Sequence, residues 1–279
     1  MEQSIKEKIG SIIKSPPIKE ERGVFFFIPT QINGSLVGGE RDDIRQTIKK
    51  KTPQLYKFIV ALINARFVFE RGIGVKKALA MAFSDGALEK RTIINLGSGT
   101  ERMKYGIINV DCYPYHGVDV VADAMNLPFK DGSVDMVVSI SLLEHVPEPE
   151  KVLAEIKRVL KVGGYLYCAV PFMYPFHSAP NDYTRFTEGW FRYRLAHFEF
   201  IRSGVDSGPI TAITISVAYT MALIFSFGSR LWYALVRDFF IVLLAPLRVF
   251  DFLIARLPFS EDVAASIYFF ARKNNIIQK

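Results

Sequence analysis

Cysteine is scarce in this chain, with only Cys112 and Cys168 among 279 residues. That leaves no disulfide framework and no cysteine-built zinc cluster, and no metal site is expected. Both cysteines sit in or beside apolar, strand-like runs and read as reduced core residues. The opening MEQSIKEKIGSIIKSPPIKEER lacks the long apolar region and small-residue cleavage site of a secretory signal, so a cytoplasmic location is expected. No internal repeat or low-complexity tract is visible. Charge of one sign is short as well. The 28 acidic residues are outnumbered by 35 Lys and Arg, and the net +7 favours anionic partners without choosing among membrane, phosphate and nucleic acid.

The remaining content falls into three zones. Residues 1–89 mix basic helical stretches with turn clusters and read as an N-terminal helical region. Within it, Pro53 to Phe69 places Leu55, Phe58, Ile59, Leu62 and Ile63 at helical spacing. Residues 90–208 change character to short β-branched runs (TIINL, GIINV, VDVVA, VDMVVSI, YLYCAV) separated by helical stretches, the pattern of a mostly parallel sheet covered on both faces. The clearest helix is Glu148 to Leu160, with Val152, Leu153, Ile156 and Val159 on one face and Gly163-Gly164 as its stop. Residues 209–260 are strongly apolar, and residues 261–279 supply a last strand, AASIYFFARK.

The loop after TIINL carries Gly97 and Gly99, which let backbone approach a ligand closely. A dinucleotide fingerprint would want a third glycine where Arg102 stands and an acid about 20 residues downstream. Asp111 arrives too early for that. A carboxylate ending the second strand is placed for ribose hydroxyls, and Asp123 for the adenine amino group. An adenosine without a pyrophosphate fits best.

Taken in order, LGSG, NVD, VVADAMNLPFKDGSVDMVVSISLLEHV and EIKRVLKVGGYLYCAVPF resemble a class I S-adenosylmethionine-dependent methyltransferase of the type 11 kind. PFMYPFHSAPNDYTRFT resembles a bacterial subgroup associated with surface-polysaccharide gene clusters. The resemblance covers roughly Arg91 to Phe200 and implies an α/β, Rossmann-like seven-strand sheet with helices on both faces, preceded by the N-terminal helical region and interrupted by a hydrophobic insertion before the last strand. It implies S-adenosyl-L-methionine as cofactor, with Asn95, Gly97, Ser98 and Gly99 at the methionine end, Asp111 at the ribose, Asp123 and Ala124 at the adenine, and Ser139 to Ser141 as the far wall. Two departures stand out. Asn95 occupies a position that is usually acidic, and the stretch from Leu96 to Ile107 has room for only a single helical turn as its crossover.

Past the fifth strand, His177, Asp182, Tyr183 and Arg185 fall within nine residues, where open α/β folds place substrates. His177 and Asp182 are the candidate bases, and Tyr183 and Arg185 the candidate substrate contacts. The competing reading is an Asx turn with Arg185 paired to Asp182. Glu144 and His145 are weaker candidates, His145 reading equally well as a structural cap.

The stretch from Ile210 to Phe227 is 18 residues without charge, near the lower limit for a spanning helix. A second crossing would have to carry Arg248, Asp251 and Arg256, so an interfacial helix is the expectation, with Arg230, Arg237, Arg248 and Arg256 toward lipid phosphates and Trp232, Tyr233 and Phe239 at the headgroups. A dimer interface or buried lid competes with it. The expected activity is O-methylation of a sugar or lipid-linked small molecule at the inner face of the cell membrane. A non-catalytic membrane-associated module that keeps the fold is the alternative. Nucleic acid is not an expected partner, since the chain lacks the Asn/Asp-Pro-Pro-aromatic tetrad of amino-group methylation.

Overall fold

A computed structural model of the chain describes residues 2–29, 74–100, 102–103, 106–177 and 181–274. The helix expected over Pro53 to Phe69 lies outside the described residues. In chain order the elements are α1 (Glu2–Ile12), β1 (Lys19–Glu21), β2 (Val24–Phe26), α2 (Val75–Ala82), β3 (Ile93–Leu96), β4 (Ile108–Asp111), β5 (Val120–Val121), β6 (Val134–Ile140), α3 (Pro149–Val159), β7 (Leu160–Pro171), α4 (Glu188–Arg194), β8 (Phe198–Ser207), α5 (Pro209–Phe225), α6 (Arg230–Leu244), α7 (Asp251–Ile254) and β9 (Ser266–Lys273).

All described strands join one mixed sheet in the order β1-β2-β5-β4-β3-β6-β7-β9-β8. Strands β3 to β7 run parallel, while β9 is antiparallel to both β7 and β8. Strand order reverses between β3 and β6. Crossovers leave that point toward opposite faces, so the carboxyl ends of β3 and β6 border the crevice in which open α/β sheets bind ligands.

Period-two burial builds both faces of the sheet. Ile94, Leu96, Val137, Leu166, Cys168, Phe269 and Ala271 pack into one core with α1, α3 and α4, while Ile93, Met136, Val138, Tyr167, Ala169, Tyr268 and Phe270 pack into a second core with α2. Helix α3 shows how sequence selects the first core. Pro149 opens it and Val152, Leu153, Ile156 and Val159 are buried on one stripe.

The structure departs from the sequence reading in four places. The N-terminal region is not only helical: β2 pairs in parallel with β5, and Ile5, Ile9 and Ile12 of α1 lie in the main core. Three-residue strands flanked by charge give too short a signal to read from pattern. Helix α3 ends at Val159, and Gly163-Gly164 lies within β7, where a Cβ on Gly164 would sit 2.9 Å from the Lys161 carbonyl oxygen. No helical turn occurs among the described residues between Leu96 and Ile107. Cys112 is exposed just past the end of β4, while Cys168 is buried.

The insertion is an α5–α6 hairpin followed by short helical turns. No helix among the described residues is long and apolar enough to cross a membrane. At 17 residues α5 reaches only about 25 Å against the ~30 Å of bilayer hydrocarbon. Asp251 anchors the hairpin. Its carboxylate accepts hydrogen bonds from Ile210 N at 2.7 Å, Thr211 N at 3.0 Å and Thr211 Oγ1 at 2.6 Å, capping α5 from 40 residues away.

Candidate functional site

The turn after β3 is held from the next strand. Gly97 N and Ser98 N both donate to Val110 O, at 2.9 and 3.0 Å, and Gly99 N donates to Asp111 Oδ2 at 2.8 Å. Gly97 has φ +74, and a Cβ there would lie 2.9 Å from Leu142, so glycine is required both by backbone and by the close approach of the loop after β6. Gly99 has φ +56 and open space where a Cβ would stand. Asp111 also accepts from Tyr113 N at 2.9 Å, so each carboxylate oxygen takes one backbone hydrogen bond. A ligand can still reach the remaining lone pairs.

Asn95 does not face this turn as an unengaged group. It is buried, and its amide donates to Asn109 Oδ1 at 3.1 Å. Asn109 in turn accepts from Met103 N and donates to Ile107 O and to Asp119 Oδ2, while Arg102 pairs with Asp119 at 3.1 Å. This side-chain network braces the short β3–β4 connection where a crossover helix would otherwise do so. An acid at position 95 would face the Asn109 carbonyl oxygen, which explains the amide.

Asp123 lies two residues past β5, beside the end of β4, and its Oδ1 accepts from Met125 N at 2.8 Å, with Ala124 nearly buried beside it. The following loop is clamped by α3: Leu127 N donates to Glu155 at 2.6 Å, and Arg158 donates to Leu127 O and Phe129 O. On the other side of the switch point, Ser139 is fully buried and its hydroxyl has no hydrogen-bond partner, as is also true of the Ser98 hydroxyl. Ser141, just past β6, has φ +51, a conformation that side chains rarely adopt.

The turn Leu143–His145 follows at once, and it brings together residues that the sequence separates. Glu144 is fully buried, and neither carboxylate oxygen has a hydrogen-bond partner. Burial pushes its carboxyl up to about 7, against the pull of its own backbone N–H, the Arg185 charge and the nearby Ser141 hydroxyl. His145 Nε2 stands 3.7 Å from Glu144 Oε1, and the His145 and His177 rings meet edge to face at 5.1 Å. Burial pushes the His177 imidazole below its ordinary value, and the neighbouring His145 adds to the shift.

Asp182 and Arg185 do not join this cluster as free groups. Arg185 uses all five donors within its own loop: Nε to Tyr174 O, Nη1 to Asp182 Oδ1 and Thr184 O, Nη2 to Pro175 O and Asp182 Oδ2. Asp182 Oδ2 also accepts from His177 N at 2.8 Å. Burial raises the Asp182 carboxyl, but the bonds from Arg185 and His177 N outweigh it and hold the pKa low. Asp182, one of the two expected bases, and Arg185, one of the two expected substrate contacts, thus form the strut of the loop that presents His177. Tyr183 is half exposed, its N donating to Glu144 O at 2.7 Å. Folding also brings Glu144 and His145, the weaker candidates in the sequence, beside His177. The signal for them was their position after β6, in reach of a loop that only folding brings near.

Residues 101–168 match a methyltransferase domain family. The chain carries a class I S-adenosylmethionine-dependent methyltransferase domain. Among similar proteins, the methyltransferase GfsG of Streptomyces halstedii is 30% identical over 134 residues, 46% of this chain and 45% of that protein. Demethylmenaquinone methyltransferase of Listeria welshimeri is 33% identical over 110 residues, 39% of this chain and 42% of the relative. Norajmaline N-methyltransferase of Rauvolfia serpentina is 49% identical over 44 residues, 16% of this chain and 15% of the relative. The chain thus spans less than half the length of the curated relatives it matches. Among solved structures, Haemonchus contortus phosphoethanolamine N-methyltransferase 2 aligns over 83% of this chain and 60% of its own, at 15% identity and a TM-score of 0.45.

The cofactor of such a domain is S-adenosylmethionine, and the residues present fit it. Two glycines leave room at the turn, two carboxylates stand at the ends of adjacent strands with acceptor capacity to spare, and the Ser98 and Ser139 hydroxyls are buried without partners. A buried hydroxyl without a partner is costly, and a polar ligand there removes the cost.

Proposed function

We propose that the whole protein transfers a methyl group from S-adenosylmethionine to a hydroxyl oxygen of a sugar or lipid-linked small molecule held at a membrane surface. The observation that carries the reaction type is Glu144: a buried carboxylate without hydrogen bonds, beside two imidazoles, two residues beyond the Leu142 contact with the glycine turn. Bound cofactor supplies an electrophilic methyl group on sulfonium. Transfer to an amine needs no base, but a hydroxyl must lose its proton, and proximity then supplies much of the rate. His177, kept neutral by its surroundings, accepts that proton, and Glu144 stabilises the resulting imidazolium.

Membrane placement rests on the insertion. Phe227 and Phe259 are 88% and 75% exposed, and both sit at positive φ, an arrangement costing about 1 to 2 kcal/mol each that fold stability does not explain. Trp232, Phe239 and Leu253 are also more than half exposed. Two of the four arginines expected to face lipid are instead buried. Arg237 pairs with Asp238 and lies over Tyr219, and Arg248 donates to Thr214 Oγ1. Apolar burial therefore outweighs charge in this reading.

Calorimetry with cofactor, then turnover of labelled cofactor with sugar and lipid extracts, tests the proposal. Asp111→Ala is expected to weaken cofactor binding roughly tenfold to a hundredfold, the loss of charge-assisted ribose bonds of about 1.5 to 3 kcal/mol. His177→Ala should keep cofactor affinity and lose transfer. Normal turnover by His177→Ala overturns the base assignment. Cofactor binding with no transfer to any component points to a binding module, the reading favoured by Asn95 being engaged with Asn109.

A further inference from the structure

We propose that Glu144, His145 and His177 form a binding site for one divalent transition-metal ion of borderline softness, with Zn2+ the best match. Each offers one ligand atom, and the three atoms lie within 4.8 Å of one another. The pair His145 Nε2 and Glu144 Oε1, 3.7 Å apart, is close to the ~3.3 Å separating two ligands at tetrahedral angles about one zinc ion. Closure needs only small side-chain adjustments.

Independent features point the same way. Neither Glu144 oxygen has a hydrogen-bond partner although the residue is fully buried, and His177 Nδ1, 3.5 Å from Asp182 Oδ2, makes no hydrogen bond either. The other ring nitrogen of His145, Nδ1, lies 2.5 Å from Asn181 O. As a donor to that carbonyl it leaves the Nε2 lone pair free, which is how ligating histidines are usually oriented. Local charge agrees. Asp182 is neutralised by Arg185, so the Glu144 carboxylate has no cation of its own in contact. Two imidazoles and one carboxylate with further positions open is a catalytic-type donor set; Mg2+ and Ca2+ prefer oxygen ligands throughout.

The site deepens the methyl-transfer reading and rests on it for its use: with the His177 lone pair given to a metal, His177 would no longer be the base, and the metal would instead hold the acceptor oxygen and make its proton easier to lose. Binding itself does not depend on turnover. The test takes tag-free full-length protein, stripped with chelator, and titrates it with Zn2+ by calorimetry without cofactor or acceptor, repeating with Co2+ to read its visible absorption. One equivalent with low-symmetry Co2+ absorption is expected, weakened at least ~10- to 100-fold in His177→Ala and in Glu144→Gln, and unchanged in His197→Ala outside the cluster. Thermal melts identify any variant that fails to fold, and His145→Gln then substitutes for it. Absence of binding, or equal binding by parent and His177→Ala, overturns the site. If transfer persists in chelator and no zinc binds, the base reading stands and the metal falls; if zinc binds through these residues and nothing is methylated, the metal stands and the transfer reading falls.

Discussion

Replacing Gly208 with alanine gives a sharp test of how the insertion is anchored. A Cβ at Gly208 would sit 2.2 Å from Asp251 Oδ1 and 2.3 Å from its Cγ, far inside any tolerable contact. Asp251 must then leave, and α5 loses two backbone-to-carboxylate bonds and one from the Thr211 hydroxyl. Charge-assisted bonds are worth about 1.5 to 3 kcal/mol each, but they are not additive and water replaces part of them, so about 2 to 4 kcal/mol is expected in total. Asp251→Ala should cost a similar amount by itself. In the double variant the collision disappears, so Gly208→Ala on that background should cost under about 1 kcal/mol, giving a coupling near 2 kcal/mol. Urea unfolding of the four proteins measures this, and proteolysis within residues 209–259 shows whether the loss is local. Additive costs would refute the reasoning.

Arg185→Ala strands a carboxylate that is 1% exposed, so a loss of about 3 to 5 kcal/mol is expected by urea unfolding, and Arg185→Lys should recover little because lysine cannot reproduce five directed donors. In metal-free protein the Glu144 carboxyl titrates near 7 in the fold against 4.5 unfolded, so the folded state holds a proton that the unfolded chain has released. Stability from this group is intact below pH 4.5 and is lost as pH rises through 7, worth about 3 kcal/mol at 1.36 kcal/mol per unit. Glu144→Gln should therefore be about 3 kcal/mol more stable than the parent at pH 8 and no different at pH 4; a gap independent of pH would refute the assignment. Binding to anionic liposomes, read by sedimentation, should fall only partly between low and high salt, since Arg237 and Arg248 are buried; a dimer with no liposome binding would make the exposed face a subunit interface instead.

The sheet was legible because β3, β6, β7 and β9 bury both faces over most of their length and so read as largely apolar runs. The glycine turn and Asp111 were legible because backbone conformation and strand ends leave marks at fixed spacing. What the sequence concealed was partnership. Asp182 and Glu144 are both acids next to the same loop, but one meets a guanidinium and the other only imidazoles, a difference that depends on where Tyr174 to His177 and Asn181 to Arg185 are placed. Likewise Arg237 and Arg248 look like lipid-facing charges until Asp238, Tyr219 and Thr214 are placed around them. Strands β1 and β2 were hidden because their order comes from pairing with β5 rather than from their own composition.

The insertion and the loop that presents His177 are tied to one another. Phe172 N and Met173 N donate to Ala265 O and Ala264 O at 2.9 and 3.1 Å, tying the start of that loop to the end of the insertion. Arg248 is close enough for Tyr174 and Asp251 to favour its charge against burial, and the Tyr174 ring meets His177 edge-on at 5.0 Å. Charge thus links Arg248 both to Asp251, the cap of α5, and to Tyr174, and a ring contact links Tyr174 to His177. A displacement of the hairpin is expected to reach this loop through the bonds to Ala264 and Ala265, because close-packed contacts transmit shifts rather than absorb them. On the proposed membrane reading, apolar side chains of the hairpin that entered lipid would act on the same loop that presents His177.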